Sequence, residues 1–137
     1  MKKIFILGAS SKLARKFILS NKTKKNLSFF FTYNKNDIKD LSNVYPDAKS
    51  CKIDLTKKID LEKVSKKVLK FRPDIILHMA AQPLVKQSYD FPIDTYKTNI
   101  IGTLNVLDSC KKYEVEKLIH TSTSETYGTA QYVPINE

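Results

Sequence analysis

Ile4-Phe5-Ile6-Leu7-Gly8-Ala9-Ser10-Ser11-Lys12-Leu13-Ala14 is the stretch on which the fold turns. The unbroken apolar run Ile4 to Leu7 lacks polar alternation, so it describes a strand buried on both faces, as in a parallel sheet. Gly8 ends it. After Ser11 the period changes, and Leu13, Ala14, Phe17 and Ile18 share one helical face until Ser20-Asn21-Lys22-Thr23 interrupts it. Strand, turn and helix therefore follow one another.

The same alternation runs outward along the chain. Leu27 to Thr32 is a second strand, rich in phenylalanine, and Asp37 to Val44 a short helix ahead of Pro46. Lys49 to Ile53 is a weaker third strand. Leu61, Val64, Val68 and Phe71 recur at helical spacing before Pro73, and Ile75 to Leu77 form the fourth strand. Pro92 opens the longest expected helix, with Ile93, Tyr96, Ile100, Leu104, Leu107 and Cys110 as its apolar face, and Lys117 to Thr121 is the fifth strand. Apolar strands alternating with amphipathic helices call for right-handed crossovers, and hence a doubly wound α/β (Rossmann) fold. Its parallel sheet should have five strands in the order 3-2-1-4-5, with helices on both faces.

Composition narrows the function. At 137 residues the chain suits one domain. No apolar run approaches the ~20 residues of a membrane span, and the apolar start is too short for a signal peptide, so a cytoplasmic protein without a membrane partner is expected. Cys51 and Cys110 are too few for a disulfide framework and lack the spacing of a metal site, so both read as core or half-buried thiols. The net charge of +10 invites a nucleic-acid partner. Its lysines are spread as pairs (Lys24-Lys25, Lys57-Lys58, Lys66-Lys67, Lys111-Lys112) with only two arginines, which describes solvated faces, so no nucleic acid is expected.

Chemistry in such a fold gathers at the carboxyl ends of the strands, where strand order reverses. The loop after the first strand offers Gly8, Ser10, Ser11, Lys12 and Leu13, whose backbone and helix N-terminus can approach a pyrophosphate. Ser11 and Ala14 stand where a Gly-x-x-Gly-x-x-Gly pattern would have its other glycines, so the loop fits either a cofactor site or an ordinary turn. After the second strand, Asn34 and Lys35 occupy the place where a carboxylate reads a ribose 2′-hydroxyl or a basic residue a 2′-phosphate. With no acid before Asp37 the cofactor is NAD or NADP, leaning to NADP, although Lys35 can equally be a plain loop lysine. Asp54, with Leu55, is placed to meet an adenine amino group or to cap the next helix.

Three further landmarks follow in order: His78-Met79-Ala80-Ala81-Gln82-Pro83, then Asn99-Ile100-Ile101-Gly102-Thr103, then Thr121-Ser122-Thr123-Ser124-Glu125-Thr126-Tyr127-Gly128. Together with the glycine loop they resemble the extended short-chain dehydrogenase/reductases, the NAD-dependent epimerase/dehydratase family, over nearly the whole chain. The resemblance implies that Ala80, Ala81, Gln82 and Thr98 touch the cofactor, and that Asn99 holds strands four and five in register. His78 and His120 are then structural strand residues rather than metal ligands or acid-base groups.

Within that family the Thr-Ser-Glu version is similar to nucleotide-sugar 4,6-dehydratases of the GDP-mannose and UDP-sugar type, and Ala-Ala-Gln-Pro-Leu-Val to the CDP-glucose type. The resemblance implies that Glu125 removes the C5 proton, that Thr123 bonds the sugar 4-oxygen and that Ser124 stands at the position serving C6. A nucleotide-sugar substrate and a homo-oligomeric complete enzyme are implied as well. The alternatives are a 4-epimerase or reductase and a non-catalytic dinucleotide-binding module. The family's Tyr-x-x-x-Lys pair should follow the fifth strand, and no such pair does within residues 1–137: Tyr45/Lys49 and Tyr113/Lys117 have the spacing but start ahead of that strand. The expectation is therefore an incomplete N-terminal NAD(P)-binding domain without the substrate domain, inactive alone.

Overall fold

The computed structural model describes residues 1–129 and 132, together with the backbone but not the side chain of Ser124. Strands β1 (Lys2–Leu7), β2 (Leu27–Tyr33), β3 (Lys49–Lys52), β4 (Ile75–His78) and β5 (Leu118–His120) form one sheet in the order β3-β2-β1-β4-β5. Every pairing is parallel, with Ile4 opposite Phe29 on one side and Ile75 on the other. This is the expected doubly wound sheet.

Because side chains alternate across a strand, the central strands build two cores from one continuous apolar sequence. Ile4, Ile6, Phe29, Phe31 and Leu77 face one layer, where Ala14 and Ile18 of α1 (Lys12–Ser20) and Leu41 of α2 (Lys39–Val44) close over them. Phe5, Leu7, Phe30 and Ile76 face the other, against Val64 and Val68 of α3 (Lys58–Phe71) and Val106 of α6 (Gly102–Lys112). The first layer is aromatic at its centre: Phe29 and Phe31 stack at 5.6 Å and Tyr45 meets both edge-on. The Tyr45 hydroxyl then donates to the Ile18 carbonyl at 2.9 Å, tying α2 to α1.

Two sequence expectations need correction. Leu13 is exposed, so the buried face of α1 is Ala14 and Ile18 with Phe17 half-buried. The long helix expected from Pro92 is three pieces: α5 (Pro92–Tyr96), a π-helical turn (Lys97–Ile101) and α6. Its predicted apolar face points to solvent, with Ile93 68% and Leu104 58% exposed, while the residues against the sheet are Gly102 and Val106, with Cys110 half-buried. Gly102 lies against Leu55, a Cβ there falling 3.4 Å from Leu55 Cβ, at the edge of ordinary contact. A further short helix, α4 (Val85–Asp90), precedes α5 with no buried residue, and without a core face its sequence carried no periodic signal.

No helix among the described residues is long and apolar enough to cross a membrane. Cys51 and Cys110 are unpaired and half-buried, and burial raises both thiol pKa values, as suits packing residues.

Candidate functional site

A parallel sheet delivers all its strand ends to one rim, and the residues singled out from sequence lie there. At β1 the chain leaves through Gly8 at φ +83°, a left-handed conformation that side chains resist. The second reason for glycine is a neighbour: a Cβ would fall 2.6 Å from Ala80 Cα and 2.7 Å from its nitrogen. Gly8 therefore permits close passage of the β4 exit, a role distinct from the pyrophosphate approach assigned by sequence. Its N–H donates to Thr32 Oγ1 at 3.3 Å, and Ala9 N–H to the Thr32 carbonyl at 2.8 Å, so the turn is anchored on β2.

Ser11 caps α1, its Oγ accepting from Ala14 N–H at 3.2 Å. The N–H groups of Lys12 and Leu13 meet no acceptor among the described residues, and the first turn of α1 carries no acid. Free N–H groups at a helix N-terminus suit an anion, and a dinucleotide pyrophosphate fits these residues chemically.

Asn34 and Lys35 are exposed on the loop after β2. Asp54 follows β3, where its Oδ1 accepts from Thr56 N–H at 3.0 Å and Thr56 Oγ1 at 2.7 Å. Partial burial raises its pKa, but the two Thr56 hydrogen bonds and the charges of Lys57 and Lys35 outweigh that, so the carboxyl sits below its ordinary value. Asp54 organises this turn and is not the N-cap of α3, a position held by Lys57 without a side-chain bond. Leu55 is buried, and its carbonyl accepts from Asn105 Nδ2 of α6 at 2.9 Å.

At β4 the loop Ala80-Ala81-Gln82 is held by Asn99. Asn99 Oδ1 accepts from Gln82 N–H at 2.8 Å and its Nδ2 donates to the Gln82 carbonyl at 3.0 Å, so one amide satisfies both backbone groups of Gln82. Sequence assigned Asn99 to the register of β4 and β5. The structure places it on the β4 loop instead, and β4 and β5 are joined by their own ladder and by Thr121 N–H to the His78 carbonyl at 3.0 Å. Asn99 and half-buried Thr98 both sit in the π-helical turn, whose extra residue re-aims side chains.

His78 is buried, with Nε2 3.1 Å from Thr103 Oγ1 and its ring 4.8 Å from that of His120. Burial, then the neighbouring His120, lowers its pKa to about 4, so it is a neutral packing residue at ordinary pH. Its Nδ1 has no partner, and no group of three metal-ligating side chains occurs among the described residues.

After β5, Thr123 is the N-cap of a 3₁₀ turn over Ser124–Tyr127. Its Oγ1 accepts from Glu125 N–H at 3.3 Å, while its carbonyl accepts from Thr126 N–H at 3.3 Å and Thr126 Oγ1 at 2.8 Å. Because that hydroxyl is used as an acceptor, its own proton stays available to donate. Glu125 is exposed, and the Ser124 side chain lies outside the described residues.

The sequence model for GDP-mannose 4,6 dehydratase matches residues 11–137. The chain belongs to that family. Among its relatives, the CDP-glucose 4,6-dehydratase of Salmonella typhimurium is 37% identical over 54% of this chain and 21% of that protein. A putative UDP-glucose 4-epimerase of Methanocaldococcus jannaschii is 30% identical over 70% of this chain and 30% of that protein. The Bifidobacterium longum UDP-glucose 4-epimerase, solved with NAD+ and UDP, superposes with TM-score 0.84 and 22% identity over 99% of this chain and 41% of its own. The Campylobacter jejuni UDP-Glc/GlcNAc 4-epimerase gives 0.79 at 27% identity, over 96% and 40%. The chain thus spans less than half the length of these relatives. Membership of this dehydratase family coexists with epimerase likeness, and the landmarks quoted from sequence lie within the matched residues except for the start of the glycine loop.

Proposed function

We propose that this chain is the NAD-binding N-terminal portion of a nucleotide-sugar 4,6-dehydratase. The observation that carries the reading is Thr123-Ser124-Glu125 on the rim after β5, in a chain whose family is that of the GDP-mannose dehydratases. NAD is supported by the free N–H groups at the start of α1 and by the crystallisation of structural relatives with it.

When bound, the dinucleotide supplies the hydride acceptor for C4 of the sugar and the hydride donor for C6. The residues of this chain do part of the remaining work, while the base that takes the 4-hydroxyl proton as C4 is oxidised is supplied by the rest of the complete enzyme. Lys12 and Leu13 N–H groups hold the pyrophosphate, and Asn34, Lys35 and Asp54 lie along the adenosine side. The Thr123 hydroxyl donates to the 4-oxygen. Oxidation at C4 acidifies the C5 proton, and Glu125 removes it as the C6 hydroxyl leaves with a proton as water. Ser124 stands in sequence at the position that serves C6 in that elimination.

A second reading, 4-epimerase, is favoured by the solved relatives that bear that name. The readings diverge at C5, because an epimerase leaves that bond untouched. In the complete enzyme carrying this domain, Glu125→Gln should lower overall turnover by roughly 10² to 10⁴-fold. Loss of deuterium from C5 to solvent should stop with it. Unchanged turnover and no C5 exchange in the parent enzyme would make the epimerase reading the better one.

A further inference from the structure

Arg15, on the first turns of α1, sends its guanidinium into two loops at once. Nε donates to the Ser10 carbonyl at 3.2 Å, in the loop after β1. Nη2 donates to the Asp37 carbonyl at 2.6 Å, in the loop after β2, and Nη1 pairs with the Asp40 carboxylate on the first turn of α2. One planar cation therefore lies between the loop that faces a pyrophosphate and the loop that faces the adenosine ribose in a doubly wound sheet. Hydrogen bonding to Arg15 holds the Asp40 carboxyl below its ordinary pKa, so the pair is fully charged at neutral pH.

In folds of this kind an arginine beside the ribose accommodates a 2′-phosphate, through the same forked donors that a carboxylate satisfies. Here the chain supplies its own anion. We propose that Asp40 occupies on Arg15 the place a ribose 2′-phosphate would take, so that the Arg15–Asp40 pair is the element that sets preference for NAD over NADP. The inference rests on the dinucleotide-binding reading above. It reverses the lean toward NADP that exposed Lys35 alone suggested, because the better phosphate receptor is already engaged. Asp40 is half-exposed, and α2 is held by buried Leu41 and by Tyr45, so its carboxylate can be changed without opening the core.

The test is titration of NAD and NADP, at one fixed salt concentration, into this chain and its Asp40→Asn, Arg15→Met and doubly substituted variants. The parent should bind NAD more tightly. Asp40→Asn should raise affinity for NADP relative to NAD by about tenfold or more, the scale of one freed charge-assisted hydrogen bond. Adding Arg15→Met should abolish that gain. A pair that merely braced the two loops would weaken both dinucleotides alike, so an unmoved NAD to NADP ratio in Asp40→Asn overturns the proposal. So does a gain that survives Arg15→Met, which would make Lys35 the phosphate reader. A parent that already prefers NADP overturns it as well. If none of the four chains binds either dinucleotide, the cofactor reading itself fails. Binding of NAD with no shift in ratio defeats only the role of the pair.

Discussion

The helices α1 and α3 and the segment α5 to α6 carry apolar residues at the same helical spacing, yet they spend them in opposite directions. In α1 and α3 the stripe faces the sheet, burying Ala14 and Ile18 in one layer and Val64 and Val68 in the other. In α5 to α6 the small side of the helix meets the sheet through Gly102 and Val106, and Ile93, Tyr96, Ile100, Leu104 and Leu107 remain outside. Periodicity reports that a helix has an apolar face. It does not report which neighbour covers that face.

The comparison is broken most forcefully at the centre of the first layer. Phe31 is fully buried between Phe29 and Tyr45, so Phe31→Ala should cost about 4 kcal/mol, the usual loss for a buried aromatic, and leave a marginal domain largely unfolded. Urea unfolding followed by circular dichroism measures this directly. A loss below about 1 kcal/mol would mean that the two apolar faces are energetically alike after all.

Gly8→Val comes next, at roughly 3 kcal/mol, from the left-handed φ and the overlap with the Ala80 backbone. The expected result is a lower urea midpoint before any ligand is added. Loss of dinucleotide binding in this variant would therefore report on the fold. Gly8→Val with parental stability would show that β1 and β4 can separate at their ends.

His78 sharpens the comparison through pH. Its folded pKa of about 4 lies below the ordinary 6.5, so the folded state resists a proton that the unfolded chain accepts. The stability tied to the neutral ring is complete above about pH 6.5 and is lost as pH falls toward 4, by up to roughly 3 kcal/mol. His78→Gln should flatten the fall in urea midpoint between about pH 7 and about pH 4.5, while a parallel fall in both proteins would trace acid sensitivity to the carboxylates.

What sequence could foretell follows the same division. Strand runs ended by Gly8, Asp54 and Ala80 announced the sheet order because central parallel strands are apolar on both faces; the rim residues after the first three strands followed from topology, and those after the fourth and fifth from the family resemblance. The break of the Pro92 helix was hidden, since a π-helical turn leaves the composition unchanged while shifting every later residue around the axis. Asn99 and Arg15 were hidden for another reason: both act on backbone carbonyls or N–H groups of loops remote in sequence, and such partners have no pattern of their own. Asn99 was marked only by its family landmark. Arg15 was counted merely as one of two arginines, and its position on α1 facing the ribose-side loop was the one signal that could have raised it.

The smallest expected effect bears most directly on the exposed stripe. Leu104 and Leu107 lie 58% and 49% exposed, so replacing either by glutamine removes little buried area. Glutamine has nearly the helix propensity of leucine, which isolates burial from the cost of forming α6. Each substitution should change the unfolding free energy by less than about 0.5 kcal/mol, the range of ordinary surface changes. Had the stripe packed against the sheet as its spacing suggested, each would place an unsatisfied amide in the core and cost several times more. Val106→Gln supplies the contrast within the same helix, because Val106 is buried and its replacement should cost on the order of 2 to 3 kcal/mol. If Leu104→Gln and Val106→Gln were equally damaging, α6 would have to be rotated from the orientation described, and the close approach of Gly102 to Leu55 would be lost with it. If both proved harmless, α6 would contribute nothing to the second core, and Asn105 would have no reason to hold the Leu55 carbonyl.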